Sequence, residues 1–293
     1  MLVLTTLLWG TTFSITKTGL ADASPLSFLS LRFFLASLVG AVVWWSRLRK
    51  VSRNALSHGV ILGVFMFGGY GSQTFGLAYT TVAKSGLFTY TYALLVPGLQ
   101  YLLVRKPVSV GNLFGLAIVV AGMILFTHPA QGVLNLGDWV TLGGAGLFAF
   151  YVVLVDRYSS HDDPIHLTLI QFVTTAVLAG LSAVWLEPGG SVVVSGRLLF
   201  TLGYLAVAGS VIAVYIMNRF QRESTPTRAV LIYALEPVFT VAFGYLILRE
   251  SLEREQFLGG ALILAGVIVS ELWRLRPSKR VGASESGRLA RGD

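Results

Sequence analysis

Apolar residues are grouped along the chain into ten long runs, and polar residues, prolines and glycines concentrate between the runs. A helix needs roughly 20 apolar residues to cross a bilayer. The runs are apolar on every side, whereas membrane strands alternate. The pattern therefore predicts an all-α integral membrane protein with ten transmembrane helices. We place them near residues 1–20, 26–45, 57–79, 84–104, 109–127, 138–155, 165–186, 198–218, 227–248 and 256–273.

The composition is that of a protein whose main solvent is lipid. Of the 293 residues, 54% are hydrophobic and 12% are charged, whereas a soluble chain carries about 25% charged residues. The chain has no cysteine, and its four histidines lack the spacing of a metal site. We expect no cofactor, no metal and no nucleic-acid partner. The net charge of +8 is attributed to lysines and arginines in cytoplasmic loops.

Lysine and arginine are unevenly divided between the two sets of predicted loops. With the N-terminus in the cytoplasm, the outer loops hold only Arg197, Arg249 and Arg254, and most others lie in inner loops or the C-terminal tail. Because basic loops stay cytoplasmic, both termini are predicted to be cytoplasmic in a multi-pass protein of the plasma or inner membrane. The basic tail, residues 274–293, is predicted to be disordered and to touch anionic lipid.

The two halves of the chain share a weak repeat. In the second predicted helix Arg32 follows Pro25 by seven positions, and in the seventh helix Gln171 follows Pro164 by seven positions. The second half therefore has no charged residue at the position that matches Arg32, so the role of Arg32 is not duplicated there.

The repeat continues in the fourth and ninth predicted helices, which contain Pro97 and Pro237 as predicted helix breaks. Five helices in each half would place the halves in opposite orientations. The sequence therefore predicts two inverted five-helix repeats at residues 1–127 and 138–273, an arrangement that many transporters use.

Short motifs also occur in a characteristic order. They include Leu8-Trp9-Gly10-Thr11-Thr12-Phe13, Leu31-Arg32-Phe33, Gln73-Thr74-Phe75-Gly76-Leu77, Thr225-Pro226, Leu235-Glu236-Pro237-Val238-Phe239 and Gly259-Gly260-Ala261-Leu262. In this order and spacing the chain resembles the EamA-type transporters of the drug/metabolite transporter superfamily. The resemblance implies two EamA repeats around a central substrate cavity. It also implies transport, often export, of amphipathic metabolites or drugs, including amino acids in some members.

Lys17, Lys84 and Arg228 lie near the ends of predicted helices, where their side chains can reach the membrane surface. Two other ionisable residues lie further inside, where a charge costs roughly 2.5–3.5 kcal/mol on insertion scales. Arg32 is interpreted either as a ligand for an anionic substrate group or as a structural cation that binds backbone carbonyls. Glu236 is interpreted either as a carboxyl that takes up and releases protons during transport or as a hydrogen-bonded structural residue.

Several predicted helices carry polar and aromatic side chains at helical spacing, whereas a face against lipid should be aliphatic. These faces are predicted to point inward, although small residues there also allow close packing and aromatic residues also anchor helices at the membrane surface. The candidate cavity residues are Trp9, Thr12, Arg32, Gln73, Tyr79, Tyr90, Tyr151, Gln171, Tyr215, Asn218, Tyr233 and Glu236.

A secondary transporter accounts best for these features. The sequence has neither a Gly-x-x-x-x-Gly-Lys-Ser/Thr nucleotide loop nor a His-Glu-x-x-His pair, so we predict that it is not an enzyme. We predict an exporter of small amphipathic metabolites or drugs, with amino acids and nucleobase-like compounds among the candidates. Its mechanism would be alternating access, with the proton as candidate coupling ion. The alternative is a non-catalytic membrane scaffold or assembly subunit.

Overall fold

The described part of the protein is helical. A computed structural model describes residues 1–127, 134–239, 242 and 254–275. The helices are α1 (Leu2–Trp9), α2 (Thr12–Gly19), α3 (Pro25–Val43), α4 (Arg53–Tyr79), α5 (Val82–Tyr90), α6 (Tyr92–Leu99), α7 (Val110–Thr127), α8 (Leu136–Ser159), α9 (Pro164–Leu186), α10 (Gly196–Tyr204), α11 (Ala213–Phe220), α12 (Pro226–Tyr233) and α13 (Arg254–Leu275). Stretches of π-helix at Gln100–Val104 and Leu205–Ile212 extend α6 and join α10 to α11.

Polar side chains immediately before several helices fix where those helices begin. Asn135 accepts a hydrogen bond from the Asp138 backbone N–H, and the Asp138 carboxylate accepts one from the Asn135 N–H, which forms a capping box. Thr81 and Ser195 cap α5 and α10 in the same position. These caps satisfy N–H groups that have no partner within the helix.

Seven of the described helical segments are long and apolar enough to cross a membrane. They are Pro25–Val43, Arg53–Tyr79, Lys84–Val104, Leu136–Ser159, Pro164–Leu186, Gly196–Glu223 and Arg254–Trp273, and a shorter apolar helix covers Val110–Phe126. The multi-pass helical membrane protein predicted from the sequence is thereby supported.

The count of ten helices stays a prediction. The first predicted helix, 1–20, is divided into two eight-residue helices, α1 and α2. The ninth, 227–248, begins with α12 and the helical residues 235–239 and then continues largely outside the described residues. Most of the predicted tail also lies outside them, since the description ends with α13 at Leu275.

The outer surface is apolar and the interior contains polar side chains. Trp185 is 80% exposed and Val42 is 78% exposed, whereas Gln171 and Asn218 are fully buried. Lipid is the solvent that suits such a surface, because it accepts large apolar side chains without cost.

A glycine seam joins α7 to α13, one of the closest helix pairs in the fold. Along the seam, a β-carbon placed on Gly115 would lie 2.7 Å from the Gly266 carbonyl oxygen, and one on Gly122 would lie 2.8 Å from the Gly259 carbonyl oxygen. The backbones therefore touch, as small residues allow between helices in lipid. Asn112 and Ser270 add a side-chain hydrogen bond of 2.9 Å within the seam.

The glycine seam is expected to be intolerant of a single methyl group. Gly266→Ala places its β-carbon 2.6 Å from the Gly115 carbonyl oxygen and should cost about 1–3 kcal/mol through overpacking. The measurement is thermal unfolding in detergent. The control is Gly143→Ala on α8, where nothing lies within 4 Å; it should be neutral or stabilising. Equal melting temperatures for the two variants would contradict the close seam.

Candidate functional site

Three helical segments are interrupted beside one cavity. Residues 10–11 separate α1 from α2, Thr91 separates α5 from α6, and Ala234 separates α12 from the helical residues 235–239. Residues on both sides of each interruption line the same cavity, namely Trp9 with Thr12, Thr89 with Tyr92, and Tyr233 with Glu236. Interrupted helices free backbone polar groups, which makes this a polar location inside an apolar bundle.

The predicted break residues Pro97 and Pro237 both follow an interruption. Pro237 comes three residues after Ala234, and its ring opposes the carbonyl of Tyr233, the last residue of α12. Pro97 lies inside α6, six residues after Thr91, and the π-helix begins at Gln100. The proline therefore accounts directly for the interruption at Ala234, whereas the one at Thr91 lies further from its proline.

The cavity is small, with a volume of about 50 Å³. Its lining comprises Trp9, Thr12, Phe13, Tyr70, Gln73, Thr89, Tyr92, Phe148, Tyr151, Val152, Met217, Tyr233 and Glu236. This space holds a few water molecules, whereas pockets for drug-sized ligands measure roughly 300–1,000 Å³. A metabolite can enter only if the walls move.

Aromatic rings form most of the cavity wall. Trp9 and Tyr233 meet edge to face with ring centroids 5.4 Å apart, and Tyr70 and Phe148 meet in the same way at 5.1 Å. Tyr92 packs against Phe148 at 6.2 Å. Such walls suit a ligand with an apolar body or a cationic group.

Hydrogen bonds tie the polar lining residues to the surrounding helices. The Trp9 indole N–H donates to the Gly209 carbonyl at 3.2 Å, and the Gln73 amide donates to the Thr89 hydroxyl at 3.2 Å. The Tyr151 hydroxyl donates to the Gln171 side-chain oxygen at 3.0 Å. The lining is thus polar at defined points and apolar between them.

Six of the twelve sequence-predicted residues line the cavity, and these are Trp9, Thr12, Gln73, Tyr151, Tyr233 and Glu236. Glu236 is the only acidic residue among the described residues that line it. Two further predicted residues support the wall from behind: Gln171 binds Tyr151, and the Tyr90 ring packs on Tyr92 at 5.5 Å.

Three predicted residues lie away from the cavity wall. Tyr79 is 56% exposed at the end of α4, where its ring packs on Phe75. Tyr215 packs on Trp44 at 5.1 Å. The fully buried Asn218 donates to the Thr168 hydroxyl at 2.8 Å.

Arg32 is buried directly behind the wall. Its Nε donates to the Ser210 hydroxyl at 3.1 Å, and its guanidinium carbon lies 5.2 Å from the ring centroids of both Phe33 and Tyr70. Tyr70 lines the cavity and Arg32 does not, so Arg32 contacts the back of the described cavity wall through this ring.

Sequence reasoning missed several lining residues although the helical spacing could have found them. Phe13 follows Trp9 by four positions, Tyr70 precedes Gln73 by three, and Phe148 precedes Tyr151 by three, so each shares a face with a predicted residue. Thr89, Tyr92, Val152 and Met217 complete the missed set.

Polar contacts join distant parts of the chain at one end of the bundle. Arg197 donates two hydrogen bonds to the Asp22 carboxylate, through Nε at 2.7 Å and through Nη2, and the Ser195 hydroxyl donates a third at 2.7 Å. Ala23 and Val192 form an antiparallel bridge beside them. We call this group of residues the Asp22 clasp.

A second set of contacts lies at the opposite end, because three candidate spans separate Asp22 from Lys106. Lys106 donates to the Asp156 carboxylate at 2.8 Å. The Gln100 side-chain oxygen accepts hydrogen bonds from the Thr227 N–H and hydroxyl, at 2.9 and 2.7 Å. The chain's first and second halves are therefore in polar contact on both sides.

The arrangement offers ligand-binding groups rather than a metal centre. Among the residues that the structure describes, no three His, Asp or Glu side chains are placed to hold a metal ion. A cavity lined by aromatic rings, hydroxyls, an amide and one carboxyl suits a small organic ligand.

Comparison with known proteins agrees with this fold. The EamA-like transporter family matches the chain at residues 1–128 and again at residues 135–272, so the chain belongs to this family, within the drug/metabolite transporter superfamily.

Individual relatives are similar over most of their length. An uncharacterized transporter of Archaeoglobus fulgidus is 29% identical and aligns with 92% of this chain and 84% of its own. A protein of Escherichia coli K12 named a probable amino-acid metabolite efflux pump is 24% identical over 96% of this chain and 97% of its own. A crystal structure with 20% sequence identity superposes with a TM-score of 0.77, covering 94% of this chain and 97% of that one, and shares the fold.

The Asp22 clasp is expected to stabilise the protein at neutral pH and to weaken only in acid. Hydrogen bonds from Arg197, then from Ser195, lower the pKa of Asp22 from 3.8 to about 2. A lowered pKa gives stability that is complete above the unfolded value and is lost as the pH falls through the folded value.

The test compares the melting temperatures of the wild type and Asp22→Asn across pH. The wild type should be the more stable at neutral pH, and the difference should shrink as the pH falls from 3.8 to about 2. Glu223→Gln, which removes an exposed ion pair with Arg219, is the control and should change little at any pH. A difference that persists in acid would refute the assignment.

Proposed function

We propose that this chain is a secondary transporter that exports small amphipathic metabolites or drugs by alternating access through the central cavity. The observation that carries the proposal is the meeting of three interrupted helical segments at one cavity, lined by residues from both sides of each interruption. Discontinuous helices around a central site are typical of secondary transporters. Membership of the EamA-like transporter family and the names of the relatives, a transporter and an efflux pump, support the assignment as a transporter.

The proposed architecture is ten transmembrane helices in two inverted five-helix repeats, with both termini cytoplasmic in the plasma or inner membrane. The double family match supports two repeats. In this orientation the Asp22 clasp closes the outer end and the Lys106 contacts close the inner end. Export requires each to open in turn.

The Asp22 clasp has the properties expected of a contact that opens and closes during transport. The Arg197 side chain of the pair is half exposed, and ion pairs open to solvent contribute little net stability, roughly 0–1 kcal/mol. The small cavity implies the same need for movement, since a metabolite does not fit without it.

Locking the clasp should confine access to one end. The chain lacks cysteine, so cysteines can be introduced singly without background labelling. Thr89→Cys reports cavity access, because a charged thiol reagent that cannot cross the membrane is too large for the closed cavity. A disulfide between Ala23→Cys and Val192→Cys is feasible, because bridge partners lie about 4.5–5.5 Å apart between α-carbons.

We expect the position-89 cysteine to react from both sides of the membrane before oxidation. After the Ala23–Val192 disulfide forms, it should react only from the Lys106 side, and reductant should restore labelling from both. An Asn112→Cys/Ser270→Cys disulfide within the glycine seam is the matched control and should leave labelling unchanged. Labelling that is insensitive to the lock would favour a rigid scaffold or assembly subunit.

We also propose the proton as coupling ion, with Glu236 as the group that carries it. Glu236 is the acidic residue of the described cavity lining and stands next to an interruption. Labelling of the position-89 cysteine from the Lys106 side should vary with pH in the parent protein and lose that dependence in Glu236→Gln. A Glu236→Gln profile identical to that of the parent would exclude this residue as the coupling group.

A further inference from the structure

Arg32 is a buried cation with unused hydrogen-bonding capacity. It is 2% exposed, and no ion pair among the described residues includes it. A guanidinium has five N–H groups, yet among the described residues it donates only to the Ser210 hydroxyl at 3.1 Å and to the Gly209 carbonyl at a marginal 3.5 Å. Two aromatic faces compensate part of the charge. An ion this deep normally has a carboxylate or an equivalent anion beside it.

The Arg32 guanidinium lies close to residues that line the cavity. The Gly209 carbonyl that it contacts also accepts the hydrogen bond of Trp9, a lining residue. A β-carbon on Gly209 would lie 2.9 Å from the Thr12 methyl group and 3.4 Å from the Arg32 Nη2. Arg32 therefore stands immediately behind the wall formed by Trp9, Thr12 and Tyr70.

Tyr70 contacts Arg32 and also lines the cavity that contains Glu236. The Arg32 guanidinium lies over its ring, 5.2 Å from the centroid, and Glu236 is part of the same cavity lining. Displacement of the Tyr70 ring would enlarge a cavity that is too small for a metabolite and would also expose the guanidinium to it.

We propose that Arg32 binds the carboxylate of a zwitterionic substrate whose ammonium group is bound by Glu236, with Tyr70 as the side chain that moves to admit it. This inference rests on the proposed transport function and narrows its substrate to molecules with both groups, of which an α-amino acid is the simplest. Arg32 presents paired N–H groups that match the two oxygens of a carboxylate. Glu236 and the rings of Trp9 and Tyr233 suit an ammonium group.

The experiment uses three ligands that share the same apolar body, so that the carboxylate and the ammonium group are tested one at a time. They are L-phenylalanine, 2-phenylethylamine, which lacks the carboxylate, and 3-phenylpropanoate, which lacks the ammonium group. Their dissociation constants are measured on the full chain in detergent. The wild type should bind phenylalanine about tenfold or more tightly than either analogue, since a hydrogen bond to a charged group is lost with each omission.

The variants assign each preference to one residue. Arg32→Gln should bind phenylalanine and 2-phenylethylamine equally while still discriminating against 3-phenylpropanoate. Glu236→Gln should bind phenylalanine and 3-phenylpropanoate equally and should still prefer phenylalanine to 2-phenylethylamine. Tyr151→Phe, which removes a cavity hydroxyl bound to Gln171 and leaves both charged residues in place, should weaken all three ligands by the same factor. A ratio of affinities separates recognition from general damage, because misfolding would weaken all ligands together.

Two results would overturn the inference. One is a wild-type protein that binds 2-phenylethylamine as tightly as phenylalanine, or none of the three ligands. The other is an Arg32→Gln variant that folds and keeps the full preference for phenylalanine. Either would leave the transporter proposal standing if the Ala23–Val192 lock still restricts labelling to one side, so failures of the two proposals are distinguishable.

Discussion

Backbone polar groups inside a bilayer must find partners within the protein, and the three interrupted segments make this constraint acute. Threonine hydroxyls meet part of it: Thr11 donates to the Leu8 carbonyl at 2.8 Å and Thr91 to the Phe88 carbonyl at 2.6 Å. Near the third interruption, the Val230 carbonyl accepts from the Tyr90 hydroxyl at 2.7 Å as well as from the Ala234 N–H at 3.0 Å. Polar side chains beside the cavity thus add hydrogen bonds to backbone carbonyls at the ends of the interrupted helices. The polar cavity and the interrupted helices therefore depend on each other.

Two kinds of helix contact divide the bundle. The glycine seam between α7 and α13 brings backbone atoms together. Its stability comes from close van der Waals packing, which even a small movement of one helix against the other would disrupt. Around the cavity and at its outer end, the helices meet through edge-to-face aromatic contacts, single hydrogen bonds and the Asp22 clasp, in which the Arg197 side chain is half exposed. Each of these contacts costs little to break and re-form. Movement is thus expected at the cavity, with α7 and α13 moving as one body.

The sequence predicts the helices better than it predicts the site. Apolar runs locate segments such as Pro25–Val43 and Pro164–Leu186 closely, because lipid requires long uniform apolar helices. They do not reveal the interruption at residues 10–11, where no proline marks the sequence and the Thr11 hydroxyl donates to the Leu8 carbonyl. A threonine inside an apolar run does not by itself indicate such an interruption, because threonine also occurs within continuous helices of this protein, for example Thr175 in α9.

Periodicity likewise identifies the inward face of a helix but not the depth of each residue. Tyr79 lies on the same helix as Gln73, yet it is at the helix end and is exposed, whereas Tyr70 on that helix lines the cavity. Arg32 illustrates the remaining difficulty. Its burial follows from its position in an apolar run, but its place behind Tyr70 depends on how α3 packs against α4 and the π-helical segment.

The departure from the sequence repeat is as informative as the repeat itself. Arg32 and Gln171 occupy matching positions, and each lies behind a cavity tyrosine, Tyr70 and Tyr151 respectively. Gln171 is neutral: its side-chain oxygen accepts from Tyr151, and its amide nitrogen has no partner among the described residues. Arg32 instead brings a charge that its neighbours only partly compensate. Similar halves suffice for a movement that exchanges two ends of a cavity. Recognition of an asymmetric ligand needs unlike groups, and in our proposal arginine in one half and glutamine at the matching position of the other half supply this asymmetry.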